Sequence, residues 1–173
     1  MIRTLLRTIM VACLAAVIVT SVTGVSAEEK PQAPAPRMTG SLLEEIIREA
    51  VTEFRIENTV MKFKYRDVSM ACIFDRAQNR MRIVAPIAAV TELSPSEIGI
   101  ILEANFHTAL DGRYATSDGV LYAAYIHPLS MLQRKELHSA LRQVASLVET
   151  FGSSYSSGEL IFGGTDGPQG PDA

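Results

Sequence analysis

Few side chains in this 173-residue chain can act as acids, bases, nucleophiles or metal ligands, and their spacing does not gather them. His107 and Asp111 stand four apart on one helical face. A metal site needs three or four converging ligands, and no second His or Cys joins them on that helix. His127 precedes Pro128 at a strand end and His138 sits in a helical turn, so both read as surface or boundary residues. No serine lies in a GxSxG elbow, no HExxH occurs, and no glycine-rich phosphate loop precedes a helix. The paired acids Glu44-Glu45 belong to a helix surface. Cys72 falls on the apolar face of a strand, the place of a buried, inert thiol. The sequence therefore offers no catalytic residues, no cofactor and no metal site, and the chain reads as a non-enzyme.

Charge and composition bound the partners. The formal charge is −3, and no polybasic run or interleaving of basic and aromatic residues points to nucleic acid. Hydrophobic residues make up 47%, enough for one domain of ordinary size, and with no Trp the core must come from aliphatic side chains and Met. Arg3 and Arg7, the uncharged apolar run over residues 9–19 and the small-x-small site Val25-Ser26-Ala27 have the layout of a secretory signal peptide, residues 1–27. The run is shorter than the ~20 residues that comfortably span a bilayer, so cleavage before Glu28 is expected, an uncleaved anchor being the alternative. Cys13 has no lipobox before it, which argues against lipidation there. The expected location is periplasmic or secreted, with the membrane met only through this segment. After cleavage Cys72 is alone, so no internal disulfide can help the core. Residues 28–40 (EEKPQAPAPRMTG) form a Pro/Ala-rich linker.

The domain is expected over residues 41–162. Ser41 with Glu44 makes a capping box for a first helix whose stripe is Leu43, Ile46, Ile47, Ala50, Val51 and Phe54, ending near Phe54 or Arg55. Three strands follow with period-2 alternation: Met61, Phe63 and Tyr65; Val68, Met70, Cys72 and Phe74; Met81, Ile83 and Ala85. Arg66-Asp67 and residues 75–79 supply the turns. Ser94, Pro95 and Glu97 open a second helix, with Ile98, Ile101, Leu102, Asn105 and Phe106 along one side and Asp111-Gly112 ending it. Asn105 on that stripe needs partners and is expected to find backbone ones. Residues 113–117 and 120–127 form a hairpin closed at Asp118-Gly119. A third helix is expected to open near Ser130, with Gln133 three residues on and Leu137, Ala140, Leu141, Val144, Leu147, Val148 and Phe151 as its stripe. Residues 159–162 suit a short add-on strand, and residues 163–173 read as a disordered tail.

Two surfaces stand out. On the outer face of the meander, Lys62 and Lys64 on one strand and Arg80 and Arg82 on another flank Ala71 and Ile73. This apolar strip between basic rails suits an extended acidic-hydrophobic peptide, or is a solvated face charged against aggregation. The strand of residues 120–126 is apolar on both faces and should lie inside a sheet or under a partner. With the helices covering one face, Leu121, Ala123 and Tyr125 are left without an intrachain mate and are the expected homodimer interface.

The order helix, three strands, helix, two strands, helix, with LLEEIIREAV opening it and ILEANFHTALDGRYATSDGVLYAAYIHPL at its centre, resembles the YbjN-like and type III secretion chaperone-like (CesT-type) domains. The resemblance covers about residues 41–151. It is carried most clearly by Leu102 with Asn105, Gly112-Arg113-Tyr114 and Asp118-Gly119-Val120-Leu121. It implies an α+β domain with a curved antiparallel sheet packed on helices, commonly a homodimer, that holds an extended segment of another protein. It implies no catalytic residues. Secretion chaperones work in the cytoplasm, whereas this chain begins with an export signal, so the resemblance points to an exported chaperone-like or assembly protein. A small apolar ligand, held between the sheet and the second helix of an envelope-stress module, is the other function expected.

Overall fold

The computed structural model describes residues 37–158, in which α1 (Gly40–Ala50), β1 (Thr52–Glu57), β2 (Val60–Tyr65), β3 (Val68–Asp75), β4 (Arg80–Ala89), α2 (Pro95–His107), β5 (Arg113–Ser117), β6 (Val120–Pro128) and α3 (Arg134–Glu149) follow in order. The signal peptide, most of the linker, the add-on strand of residues 159–162 and the tail lie outside the described residues. Among the described residues the fold is α+β, three α-helices and one antiparallel sheet of order β1-β2-β3-β4-β6-β5.

The first helix begins earlier than its sequence suggests. Thr39 caps it, its Oγ1 accepting from the Leu42 N–H at 3.2 Å, and Glu44 pairs with Arg48 at 2.7 Å instead of completing a box with Ser41. Met38 is buried, and a Cβ on Gly40 would sit 2.5 Å from the Phe74 ring, so the end of the expected linker is already part of the domain. Leu43, Ile46 and Ile47 are fully buried, each stabilising the fold by about 1.5–3 kcal/mol.

α1 stops at Ala50, and β1 is a strand that the expected order lacks. Val51 and Phe54 fit a helical stripe, but Thr52, Phe54 and Ile56 also alternate with Glu53, Arg55 and Glu57. Asn58-Thr59, both left-handed at φ 48° and 72°, turn this segment back onto β2 and decide for the strand. Phe54 keeps its tie to α1 through the Arg48 guanidinium, 4.0 Å above its ring.

β2, β3 and β4 form the expected meander, with Arg66-Asp67 left-handed at the first turn. β4 runs on to Ala89 through Pro86. A proline is tolerated inside the sheet there because the β4–β6 ladder is irregular between Pro86 and Ala88. The β5–β6 hairpin closes at Asp118-Gly119 as expected, with both residues at positive φ.

α2 opens with the full box. Ser94 Oγ accepts from the Glu97 N–H at 3.2 Å, and the Glu97 carboxylate accepts from the Ser94 N–H at 2.8 Å. The helix ends at His107, capped by Thr108 and not by Gly112. Gly112 serves a close approach instead, since a Cβ there would lie 3.1 Å from Leu147 Cδ1. Ser130 belongs to a single 3-10 turn, Leu129–Met131, and α3 starts four residues later, where Glu136 accepts from the Gln133 N–H at 2.7 Å.

The helices cover one face of the sheet. Met61, Phe63, Met70, Cys72, Met81 and Ile83 from the strands share one core with Leu43, Ile47, Leu137, Leu141 and Val144 from α1 and α3. Leu121, Ala123 and Tyr125 point into this core and are 2%, 0% and 4% exposed. The expectation that they form an unpartnered dimer interface is therefore corrected. Both faces of β6 are equally apolar, so the strand alone cannot say which one is covered. Its register settles the matter: Tyr125 pairs with Ile83 and Ala123 with Ala85, two core residues of β4.

Candidate functional site

The open side of the sheet is the opposite face, and it carries the unusual residues. Lys62 pairs across the strands with Ala71, Ala71 with Val84, and Val84 with Ala124, while Ile73, Arg82 and Ile126 form the next row. Ile73 is 40% exposed and Ile126 56%, and Tyr122 is half-buried beside Pro86. These large apolar side chains remain in water because no element of the described chain covers them.

All six residues of the predicted strip lie on this face, but in two hollows. The first, of about 340 Å³, is lined by Lys62, Lys64, Ala71, Val84, Pro86 and Tyr122, with Glu53 and Arg55 at its rim. The second, of about 250 Å³, is lined by Ile73, Asp75, Arg80 and Arg82. The lysine rail is largely neutralised by β1. Lys64 pairs with Glu53 at 2.9 Å, Lys62 pairs with Glu57, and Arg55 pairs with Glu57 at 2.7 Å. Lys62 first, then Arg55, hold the Glu57 carboxyl below the usual carboxylate range.

The far edge of the sheet is closed by α2. The Asn105 amide donates to the Tyr114 carbonyl at 3.0 Å, and the Tyr114 N–H donates to Asn105 Oδ1 at 2.8 Å, so one side chain occupies both free backbone groups of this β5 residue. This is the backbone partnership expected of Asn105. The remaining apolar residues of α2 do not form the expected buried stripe. Ile101 and Ala104 are buried, while Ile98, Leu102 and Phe106, four apart in turn, are 40%, 65% and 75% exposed. Between α2 and the sheet edge lies a groove of about 370 Å³ lined by Leu93, Ile98, Ile101, Leu102, Tyr114 and Leu121.

A buried polar hub went unread in the sequence. Gln143 on α3 is 4% exposed, and its Oε1 accepts from the N–H groups of Asp111 and Gly112 at 2.9 and 2.8 Å. Its amide donates to Asp111 Oδ2 and Ser139 Oγ. Its position within a run of apolar α3 residues was the signal that pointed to it.

The histidines stay apart. His107 is exposed with its ring against Phe106, and His127 stacks on Tyr125 at 6.1 Å. Cys72 is fully buried, and desolvation pushes its thiol up to about 12. Desolvation, with a smaller contribution from the Asp111 and Glu136 charges, pushes Tyr125 up to about 12. Burial also raises Tyr114, whose hydroxyl donates to the Leu147 carbonyl at 2.8 Å. All three keep protons in the fold that the unfolded chain releases at lower pH. Their contribution to stability is complete below the unfolded thiol value of about 8.5 and falls as pH rises toward 12. Urea midpoints are expected to drop between pH 8 and pH 10.5, and a level or rising midpoint would contradict this assignment.

Comparison with known proteins places the fold. No family model matches the chain, and no curated protein matches it by sequence. A chain of the HopA1–SchA chaperone–effector complex is similar in structure with a TM-score of 0.51, at 10% identity, over 64% of this chain and 90% of that one. A chain from the complex of the Yersinia pestis type III secretion chaperone SycH with a stable fragment of YscM2 has a TM-score of 0.49 at 17% identity, covering 65% of this chain and 98% of that one. The chain shares its α+β fold with a chain of the HopA1–SchA chaperone–effector complex. The YbjN-like part of the resemblance rests on the sequence residues alone.

Proposed function

We propose that this protein is a non-enzymatic, chaperone-like binder that holds a segment of another polypeptide on the open face of its sheet. The observation that carries the reading is the pair of exposed residues Ile73 and Ile126, with half-buried Tyr122 on the same face of the sheet, a face that no helix of the described residues covers and that two hollows indent. Such a face supplies apolar area for affinity and flanking charges for selection. That the HopA1–SchA complex, of similar fold, is one of a chaperone with its effector supports the same reading.

Two further features belong to the proposal. The exposed row Ile98, Leu102 and Phe106 on α2 is the surface through which two copies pair, replacing the β6 face assigned from sequence. The charged start at Arg3 and Arg7, the apolar run behind it and the small-x-small site support export, so the binding takes place outside the cytoplasm.

A polypeptide that copurifies with the full chain is expected to be lost when Ile126→Asp and Tyr122→Asp are introduced, with the thermal midpoint of the fold retained. Equal recovery by both proteins would sink the open-face reading. The groove between α2 and the sheet favours a second reading, a small apolar ligand. Native mass spectrometry would detect it as a bound mass that survives the two aspartates and disappears with Ile98→Asp.

A further inference from the structure

The two hollows of the open face differ in what their charges are free to do, an inference that rests on the polypeptide-binding reading above. At the first hollow, Lys62, Lys64 and Arg55 are each engaged by Glu57 or Glu53 of β1, so every cation there already has a carboxylate partner within the chain, Lys62 and Arg55 sharing Glu57. At the second, Arg82 on β4 stands directly between Ile73 of β3 and Ile126 of β6. Among the described residues Arg82 makes no ion pair and no side-chain hydrogen bond, although it is exposed. Arg80, one step along the same face, donates only to the adjacent Asn79 carbonyl. Asp75, opposite Arg80 across the strands, lines the same hollow, and its Oδ1 accepts from the Ala77 and Gln78 N–H groups at 2.8 and 3.0 Å.

We propose that this second hollow reads an acidic side chain set beside a large aliphatic one in an extended polypeptide. Arg82 pairs with the carboxylate, Arg80 adds a second cation, and Ile73 and Ile126 receive the aliphatic group. The planar guanidinium offers a fork matched to a carboxylate. Seating an aliphatic group on the flanking isoleucines removes water from around that pair and strengthens it. A segment with Lys or Arg at the same place meets like charge. An uncharged polar residue gives Arg82 a weaker bond. Discrimination therefore sits at Arg82 and not at the lysine rail.

The test is to pan a random dodecapeptide phage library on the full chain and on two charge variants. The parent is expected to enrich Asp or Glu next to Leu, Ile or Val. Arg82→Glu is expected to exchange the acid for Lys or Arg, and Lys62→Glu to leave the consensus unchanged. A peptide synthesised from the parent consensus should bind Arg82→Gln about two- to fivefold more weakly at low salt, and the difference should shrink as salt rises. A consensus without acids, or one that follows Lys62→Glu, overturns the assignment to Arg82 and leaves open-face binding standing. Enriched peptides that bind the Ile126→Asp, Tyr122→Asp protein as well as the parent overturn the open-face reading itself. A library from which the chain enriches nothing overturns both.

Discussion

Leu102→Glu is expected to turn the proposed dimer into a monomer without unfolding the chain. Leu102 is 65% exposed at the middle of α2, flanked one turn either way by Ile98 and Phe106, so its loss removes little from the chain's own core. In the proposed pairing the same side chain lies at the centre of an apolar row, and a buried glutamate there faces its symmetry mate with like charge. Central apolar anchors of this kind contribute about 2–4 kcal/mol, so the dimer should weaken by roughly 30- to 1000-fold. Sedimentation velocity of parent and variant at matched concentrations reads the result. A parent that is itself a strict monomer would contradict the pairing, and a variant that still dimerises would move it off α2.

Gln143→Leu should cost about 1–3 kcal/mol of folding stability. The side chain answers two backbone N–H groups in the bend between α2 and β5, and the one on Gly112 is buried. Leucine fills the volume but takes the acceptor from both donors, and the buried Gly112 N–H left without a partner costs about 1–3 kcal/mol. Gln143→Glu keeps an acceptor in place and should do less harm, even though it sets a carboxylate near Asp111. Urea denaturation of the three proteins gives the order parent, Gln143→Glu, Gln143→Leu. Equal midpoints for parent and Gln143→Leu would mean that water replaces the amide at no cost.

What was legible in the sequence was local chemistry with one solution. Ser94-Pro95-Glu97 can start a helix in only one way, Asp118-Gly119 closes the hairpin it predicts, and a polar Asn105 amid apolar neighbours had to find backbone groups. Where two solutions were locally equal, tertiary pairing made the choice. Val51 and Phe54 satisfy a helix as well as a strand, and only the Asn58-Thr59 turn onto β2 breaks the tie. The two faces of β6 carry the same kinds of side chain, and only registry with Ile83 and Ala85 tells core from surface. Only β1 brings Glu53 and Glu57 beside the lysine rail, so alternation alone does not distinguish Lys62 and Lys64 from Arg80 and Arg82. The candidate face was readable from period-2 alternation, whereas its division into an answered and an unanswered half depends on a strand the alternation did not single out.

A polypeptide held on the open face of the sheet should lie within crosslinking reach of Ile126. The most direct measurement places a photoreactive phenylalanine derivative at Ile126 and, in a second protein, at Lys135 on the exposed side of α3, followed by irradiation in the cells that make the chain. A discrete crosslinked polypeptide is expected from position 126 and none from position 135. No adduct at 126, or the same adducts at the same yield from both positions, would contradict it.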